Sequence, residues 1–94
     1  MPYLDVKSIV YSDTYKRALQ QYISLEKNIR ATEGKIIAWP VFSKKLHEPI
    51  IAGKYAGQLH ARVTENIRIM YTYDRKTKTI YFMDIVTKND LEKS

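Results

Sequence analysis

The spacing of hydrophobic residues changes near the start of the chain and predicts a strand followed by a helix. β-forming side chains are frequent in residues 3–10, which we interpret as a first strand. Ser12 and Asp13 follow, and both residue types cap helices by accepting hydrogen bonds from free backbone N–H groups. In residues 14–22 the apolar positions recur three and four residues apart, which indicates one face of a helix.

A second helical pattern begins near Ser24 and predicts a partner for the first helix. Leu25, Ile29 and Ile36 lie on or near one face of this pattern. We expect Pro40 to end the helix, because a proline disfavours helical backbone in the residue before it. Since the connection is so short, the two segments predict an antiparallel helical hairpin.

The rest of the chain predicts a connector and three strands. Residues 40–57 hold two of the three prolines and two of the three glycines, which is typical of a loop. Alternating patterns predict strands at residues 58–64, 67–73 and 79–87. In the last strand, strict alternation puts Ile80, Phe82, Asp84 and Val86 on one face and Tyr81, Met83 and Ile85 on the other. Both faces are largely apolar, so we expect this strand inside the sheet.

This order of elements predicts the fold class. A strand, a two-helix hairpin and a three-stranded antiparallel meander make an α+β domain with helices on one face of the sheet. The 94 residues are enough for one domain and too few for two. We therefore expect a single domain over residues 1–94.

The charge balance favours a negatively charged partner. Sixteen Lys and Arg against ten Asp and Glu give a formal net charge of +6, and such a surface attracts polyanions. Charge alone leaves RNA, DNA, an anionic membrane and an acidic protein open. The first residues do not follow the signal-peptide pattern, and no stretch reaches the roughly 20 apolar residues that span a bilayer. We expect a cytoplasmic protein with no membrane partner.

Few residue types are available to bind a metal. The chain has no cysteine and two histidines, which excludes disulfides and thiolate metal sites. His47 and His60 do not have the spacing of a metal-binding pair. We therefore expect neither a metal nor a small-molecule cofactor.

Residues 57–71 carry a resemblance to a known family. Gly57 precedes a strand with basic residues at alternate positions, a short polar turn follows, and residues 68–71 read Arg-Ile-Met-Tyr. Together with the order of elements, the length and the basic charge, this hairpin resembles that of the RelE/ParE toxin superfamily. The Thr-Glu pair at 64–65 and the Glu-Pro pair at 48–49 are similar to the YoeB branch.

The resemblance implies the toxin of a type II toxin–antitoxin system. RelE-like and YoeB-like toxins cut messenger RNA on the ribosome. In that reaction a ribose 2′-OH attacks the adjacent phosphate, and no metal takes part. The resemblance also implies an acidic antitoxin that covers the basic patch, and the net charge of +6 fits such a partner.

The C-terminal tail departs from the pattern of the ribonuclease members. Those toxins usually end with an arginine or histidine and then a tyrosine, whereas residues 87–94 contain no histidine and no aromatic residue. Lys88 stands where a basic residue is expected. The departure leaves two alternatives open, a ParE-like inhibitor of DNA gyrase and a catalytically inactive RelE-like binding module.

Basic side chains of the predicted hairpin match the needs of RNA cleavage. His60 and Arg62 are two positions apart and project to one face of their strand, whereas the position of Arg68 depends on the turn register. We assign Arg62 and Arg68 to the scissile phosphate, because the arginine fork gives two parallel charge-assisted hydrogen bonds. His60 is a candidate acid or base, since histidine titrates near neutral pH. Ordinary surface ion pairs are the alternative for both arginines.

Four further residues complete the candidate site. The resemblance makes Glu48 a rival base and gives Lys88 the phosphate or the leaving group, although both are plain surface residues in the simpler interpretation. In the connector, Tyr55 is a candidate for stacking a nucleobase, with Lys54 beside it as a second RNA-binding residue. The ribonuclease hypothesis predicts that Arg68→Ala abolishes toxicity and leaves the fold intact.

Overall fold

The chain folds into a mixed sheet with helices. The computed structural model describes residues 6–38, 48–49 and 57–93. The strands are β1 (Ser8–Tyr11), β2 (Glu48–Pro49), β3 (Leu59–Arg62), β4 (Ile67–Asp74) and β5 (Thr79–Thr87). The helices are α1 (Asp13–Gln21), α2 (Glu26–Ala38) and α3 (Lys88–Lys93), and a 3₁₀ turn at Ile23–Leu25 joins α1 to α2.

The described strands lie in one sheet, in the order β1-β5-β4-β3-β2. β1 runs parallel to β5, and the other neighbouring strands are antiparallel. The predicted α+β class is confirmed, whereas the predicted order of elements omitted β2 and α3. Those two elements have two and six residues, which is too short for a periodic hydrophobic pattern. None of the helices in the described residues is long and apolar enough to cross a membrane.

The start of α1 fastens the helices to β5. Ser12 is the N-cap of α1, since its Oγ accepts a hydrogen bond from the backbone N–H of Tyr15 at 3.0 Å. The same hydroxyl donates to the carbonyl oxygen of Met83 at 2.7 Å, and the Ser12 N–H donates to the carbonyl of Phe82 at 3.0 Å. The predicted cap is confirmed at Ser12, and it also orients α1 on the sheet.

Helices α1 and α2 cover one face of the sheet, which we call the helical face. Tyr11 and Tyr15 pack their rings against Phe82, with centroids 5.2 and 5.3 Å from it. The buried residues of this core are Tyr15, Ala18, Leu19, Ile29, Ile36, Ala61, Ile67, Ile69, Tyr71, Ile80, Phe82 and Ile85. Removing these side chains from water is the main force that holds the helices on the sheet.

A carboxylate is buried within this layer. Glu33 on α2 is 4% exposed, and it accepts hydrogen bonds from the Tyr15 hydroxyl and from Nη1 of Arg30, the latter at 3.0 Å. Burial raises the pKa of Tyr15, and its hydrogen bond to Glu33 raises that pKa further. The hydrogen bond from Arg30 to Glu33 raises the pKa of the guanidinium. A buried charge is tolerated only when it is paired, and here the pairing joins α1 to α2.

A β-bulge in β5 changes which face its later residues occupy. Tyr71 pairs with Phe82 and Met70 pairs with Asp84, so Met83 is an extra residue on β5. A bulge of this kind shifts the alternation of side chains by one position. The predicted strict alternation is therefore wrong beyond the bulge, and Asp84 lies on the face opposite Phe82.

Candidate functional site

The face of the sheet opposite α1 and α2, which we call the distal face, carries a row of two arginines. Arg62 on β3 pairs with Arg68 on β4, and Arg68 pairs with Val86 on β5. Residues that are directly paired in antiparallel strands project to the same side. The register thus settles what the sequence left open, and both arginines lie on the distal face.

A second row on the distal face contains the histidine. His60 on β3 pairs with Met70 on β4, and Met70 pairs with Asp84 on β5. On the other side, the backbone of Glu48 pairs with that of His60. Met70 is fully buried, whereas His60 and Asp84 are half-buried. The row therefore has one titratable residue on each side of an apolar one.

The two arginines have different environments. Arg62 is exposed. Arg68 is only 4% exposed, and its Nη1 donates to the carbonyl oxygens of Thr64 at 2.8 Å and Glu65 at 2.6 Å. These bonds satisfy backbone carbonyls of the β3–β4 turn, so Arg68 fixes the shape of that turn. The expected direct role of both arginines on the phosphate is compatible with the exposure of Arg62, while Nη1 of Arg68 is already held by the backbone.

Lys88 is brought to the same turn by the start of α3. Its backbone N–H donates to the carbonyl of Asn66 at 2.6 Å. The helix start is capped reciprocally, because Thr87 Oγ1 accepts from the Asp90 N–H at 3.0 Å and Asp90 Oδ2 accepts from the Thr87 N–H at 3.3 Å. The Lys88 side chain is exposed, with Nζ 4.0 Å from a carboxylate oxygen of Glu92. An exposed cation therefore follows the backbone bond that joins α3 to the β3–β4 turn.

A small apolar cluster underlies the charged residues of the distal face. Met70 and Val86 are buried, and Met83 and Leu91 pack against them. Leu91 belongs to α3, so this helix rests on the distal face through one apolar side chain. Close packing in this cluster restricts the movement of the strands that carry the charged residues.

Some predicted site residues fall outside the description. Lys54 and Tyr55 lie outside the described residues, and of Glu48 only the backbone belongs to them. Within the described residues, no group of three or more His, Cys, Asp or Glu is placed to hold a metal ion. The sequence did not predict that Asp84 lies on the distal face with His60, because the bulge that turns it there has no signal in the hydrophobic pattern.

Comparison with known proteins points to one fold. No protein-family model matches the chain, and no curated protein sequence matches it. Among solved structures, the YoeB/ParE toxin from Agrobacterium tumefaciens is similar with a TM-score of 0.71 and 14% identity, over 86% of this chain and 98% of that one. The RelBE2 toxin–antitoxin complex from Mycobacterium tuberculosis is similar with a TM-score of 0.70 and 17% identity, over 94% and 98% of the two chains. The chain has the RelE/ParE toxin fold.

A third structure with the RelE/ParE toxin fold agrees. YafQ from E. coli is similar with a TM-score of 0.69 and 16% identity, over 88% of this chain and 94% of that one. Identities this low show a shared fold, and the resemblance predicted from the hairpin is confirmed at that level. In this chain the last described element, α3, begins at Lys88 and contains no histidine or aromatic residue.

Proposed function

We propose that the chain is the toxin of a type II toxin–antitoxin system that cuts messenger RNA on the ribosome in the cytoplasm. The observation that carries the proposal is the distal face, where exposed Arg62 and half-buried His60 stand beside the turn shaped by Arg68. Toxins of the RelE, YafQ and YoeB type share this fold, and the net charge of +6 suits an RNA ligand.

The proposed chemistry uses a nucleophile that the RNA itself supplies. The ribose 2′-OH attacks the adjacent phosphate, which explains a preference for RNA over DNA. Arg62 and Lys88 would stabilise the charge that develops on the phosphate oxygens. His60 and Glu48 are candidates for the two proton transfers. In this account Arg68 is a positioning residue, because its guanidinium holds the β3–β4 turn, which follows Arg62 and is bonded to the backbone of Lys88.

We propose an acidic antitoxin as the natural partner. The M. tuberculosis structure is a toxin–antitoxin complex, and so is the E. coli DinJ–YafQ structure. A carboxylate-rich segment laid over Arg62 and Lys88 would neutralise them and block RNA. Inhibition by such a segment should weaken as salt rises, because contacts between exposed charges are screened.

The test is tightly controlled induction, with growth and the 5′ ends of a reporter mRNA followed in the same cells. We expect growth arrest and new 5′ ends inside translated codons. The variant Arg62→Ala should remove both. Arg17→Ala, an exposed arginine on α1, should behave as the wild-type chain. Arrest with intact mRNA would exclude the ribonuclease, and normal growth would indicate a non-catalytic binding module.

A ParE-like gyrase inhibitor is the second candidate, and the composition of α3 favours it. That helix lacks the histidine and the aromatic residue expected of the ribonuclease members. The experiment is supercoiling by purified gyrase with the wild-type chain added. Loss of supercoiling together with intact mRNA in cells would establish this function in place of the first.

A further inference from the structure

The proposed cleavage needs two proton transfers on opposite sides of the phosphorus. The attacking 2′-oxygen must lose a proton, and the leaving 5′-oxygen must gain one. In an in-line displacement these two oxygens lie opposite each other across the phosphorus. The acceptor and the donor should therefore flank the phosphate, with cations beside it.

The His60–Met70–Asp84 row has that arrangement. His60 and Asp84 lie on outer strands of the row and Met70 lies between them, so two strand spacings of about 4.8 Å separate their backbones. The neighbouring row supplies the exposed cation Arg62, which pairs with Arg68. By contrast, the backbone of Glu48 pairs with His60 on the side of β3 away from Met70, so Glu48 and His60 do not lie on opposite sides of Met70.

The bulge that turns Asp84 to the distal face is held by specific bonds. The carbonyl of Met83, at the bulge, accepts a hydrogen bond from the Ser12 hydroxyl at 2.7 Å. The carboxylate of Asp84 is oriented by its own strand, since Oδ1 accepts the backbone N–H of Ile85 at 2.8 Å. β-Bulges commonly re-aim a side chain beside an active site.

We propose that Asp84 is a catalytic residue of the distal face, accepting the 2′-OH proton while His60 donates a proton to the leaving oxygen. This inference rests on the proposed ribonuclease function. As the bond from the 2′-oxygen to phosphorus forms, the proton of the hydroxyl passes to the Asp84 carboxylate. As the bond from phosphorus to the 5′-oxygen breaks, the His60 imidazolium protonates that oxygen. The products are a 2′,3′-cyclic phosphate and a 5′-hydroxyl, and both side chains then exchange protons with water.

A substrate with a better leaving group separates the two roles. When sulfur replaces the bridging 5′-oxygen of the scissile linkage, the thiolate departs without a proton donor. We expect Asp84→Asn to slow cleavage of ribosome-bound mRNA about 10²–10⁴-fold with both the oxygen and the sulfur substrate. His60→Gln should be slow with oxygen and recover with sulfur. Asp13→Asn, an exposed aspartate at the start of α1, should match the wild-type chain with both.

Folding of the variants is controlled by thermal melting. In Asp84→Asn the amide oxygen of the new side chain can still accept the Ile85 N–H, and Asp84→Glu, which keeps a carboxylate, should retain more activity than Asp84→Asn. The inference would be overturned if folded Asp84→Asn cleaved within about threefold of the wild-type rate, because losing a general base slows a reaction far more than that. Two other results would also overturn the inference. One is that Asp84→Asn regains activity with the sulfur substrate. The other is that Glu48→Gln is slow with both substrates while Asp84→Asn is not.

The control for the underlying function is the wild-type chain. If wild-type protein makes no cuts in ribosome-bound mRNA, the ribonuclease proposal fails and this inference fails with it. If wild-type protein cuts and Asp84→Asn cuts equally well, only the assignment of Asp84 is overturned.

Discussion

The two faces of the sheet are built from the same strands but differ in burial and in charge. On the helical face, Tyr71 and Phe82 are fully buried beneath α1 and α2, and the buried Glu33 of this layer is paired with Tyr15 and Arg30. On the distal face, the buried apolar residues form a small cluster and charged side chains lie beside it. The helical face therefore carries most of the stability, and the distal face carries the groups that we propose act on RNA.

The comparison teaches that a buried charge is not by itself a sign of function. Glu33 and Arg68 are equally buried, at 4% exposed. Glu33 holds two helices together, and Arg68 holds the carbonyls of Thr64 and Glu65. Both are structural by their contacts, although Arg68 stands next to the proposed site. Arg62, by contrast, is exposed, and in the proposed function it contacts the phosphate.

The largest effect on stability is expected at the centre of the helical face. Phe82→Ala should lower the free energy of unfolding by about 3–5 kcal/mol, because it removes a fully buried ring that packs on Tyr11 and Tyr15. The matched control is Ile9→Ala on β1, where the side chain is 39% exposed and the loss should be much smaller. Chemical denaturation measures both, and equal losses would contradict the claim that burial beneath the helices carries the stability of the fold.

The next effect is expected at Arg68. Arg68→Ala removes a charged donor from two turn carbonyls, which should cost about 1.5–3 kcal/mol of unfolding free energy. The structure thus revises the expectation that this substitution leaves the fold intact. Arg68→Lys should recover only part of the loss, since one ammonium does not reproduce the planar fork. An Arg68→Ala protein as stable as the wild type would show that the turn does not depend on this side chain.

A pH dependence is expected from the helical face. The pKa of Tyr15 is raised by burial and by its bond to Glu33, so above pH ~10 the unfolded chain releases this proton and the folded chain keeps it. The native state then binds more protons, and stability falls as pH rises, by up to about 1.4 kcal/mol per pH unit from this group. Tyr15→Phe should make the slope shallower. Denaturation curves between pH 9 and 11 test this, and an unchanged slope would contradict it.

The smallest effect on stability should come from Arg62. Its side chain is exposed, so Arg62→Ala should change the free energy of unfolding by less than about 0.5 kcal/mol. The same variant should lose toxicity on induction. A large loss of stability would show that Arg62, like Arg68, supports the fold.

The sequence predicted the elements that contain enough residues to show a period. The helical spacing before Pro40 and the alternation in residues 67–73 and 79–87 appear in the structure as α1, α2, β4 and β5. β2 and α3 were missed because they are short. The start of α3 depends on the reciprocal bonds between Thr87 and Asp90, and a polar segment of this composition is equally compatible with a loop.

The candidate site was predictable in its residue types and less so in its geometry. His60 and Arg62 share a face because strand side chains alternate. The face of Arg68 depended on a turn register, and the face of Asp84 depended on a bulge. The turn is held by local side-chain bonds from Arg68, and the bulge by a long-range bond from Ser12 to Met83. A hydrophobic pattern encodes neither of them.

The most direct test of the account is cleavage of ribosome-bound mRNA by purified protein, comparing Arg62→Ala on the distal face with Arg17→Ala on α1. If the distal face carries the activity, folded Arg62→Ala should cut at least about 10²-fold more slowly than wild type, and Arg17→Ala should cut at the wild-type rate. Cleavage by Arg62→Ala at the wild-type rate would contradict the account, because it would remove the exposed arginine of the distal face from the reaction.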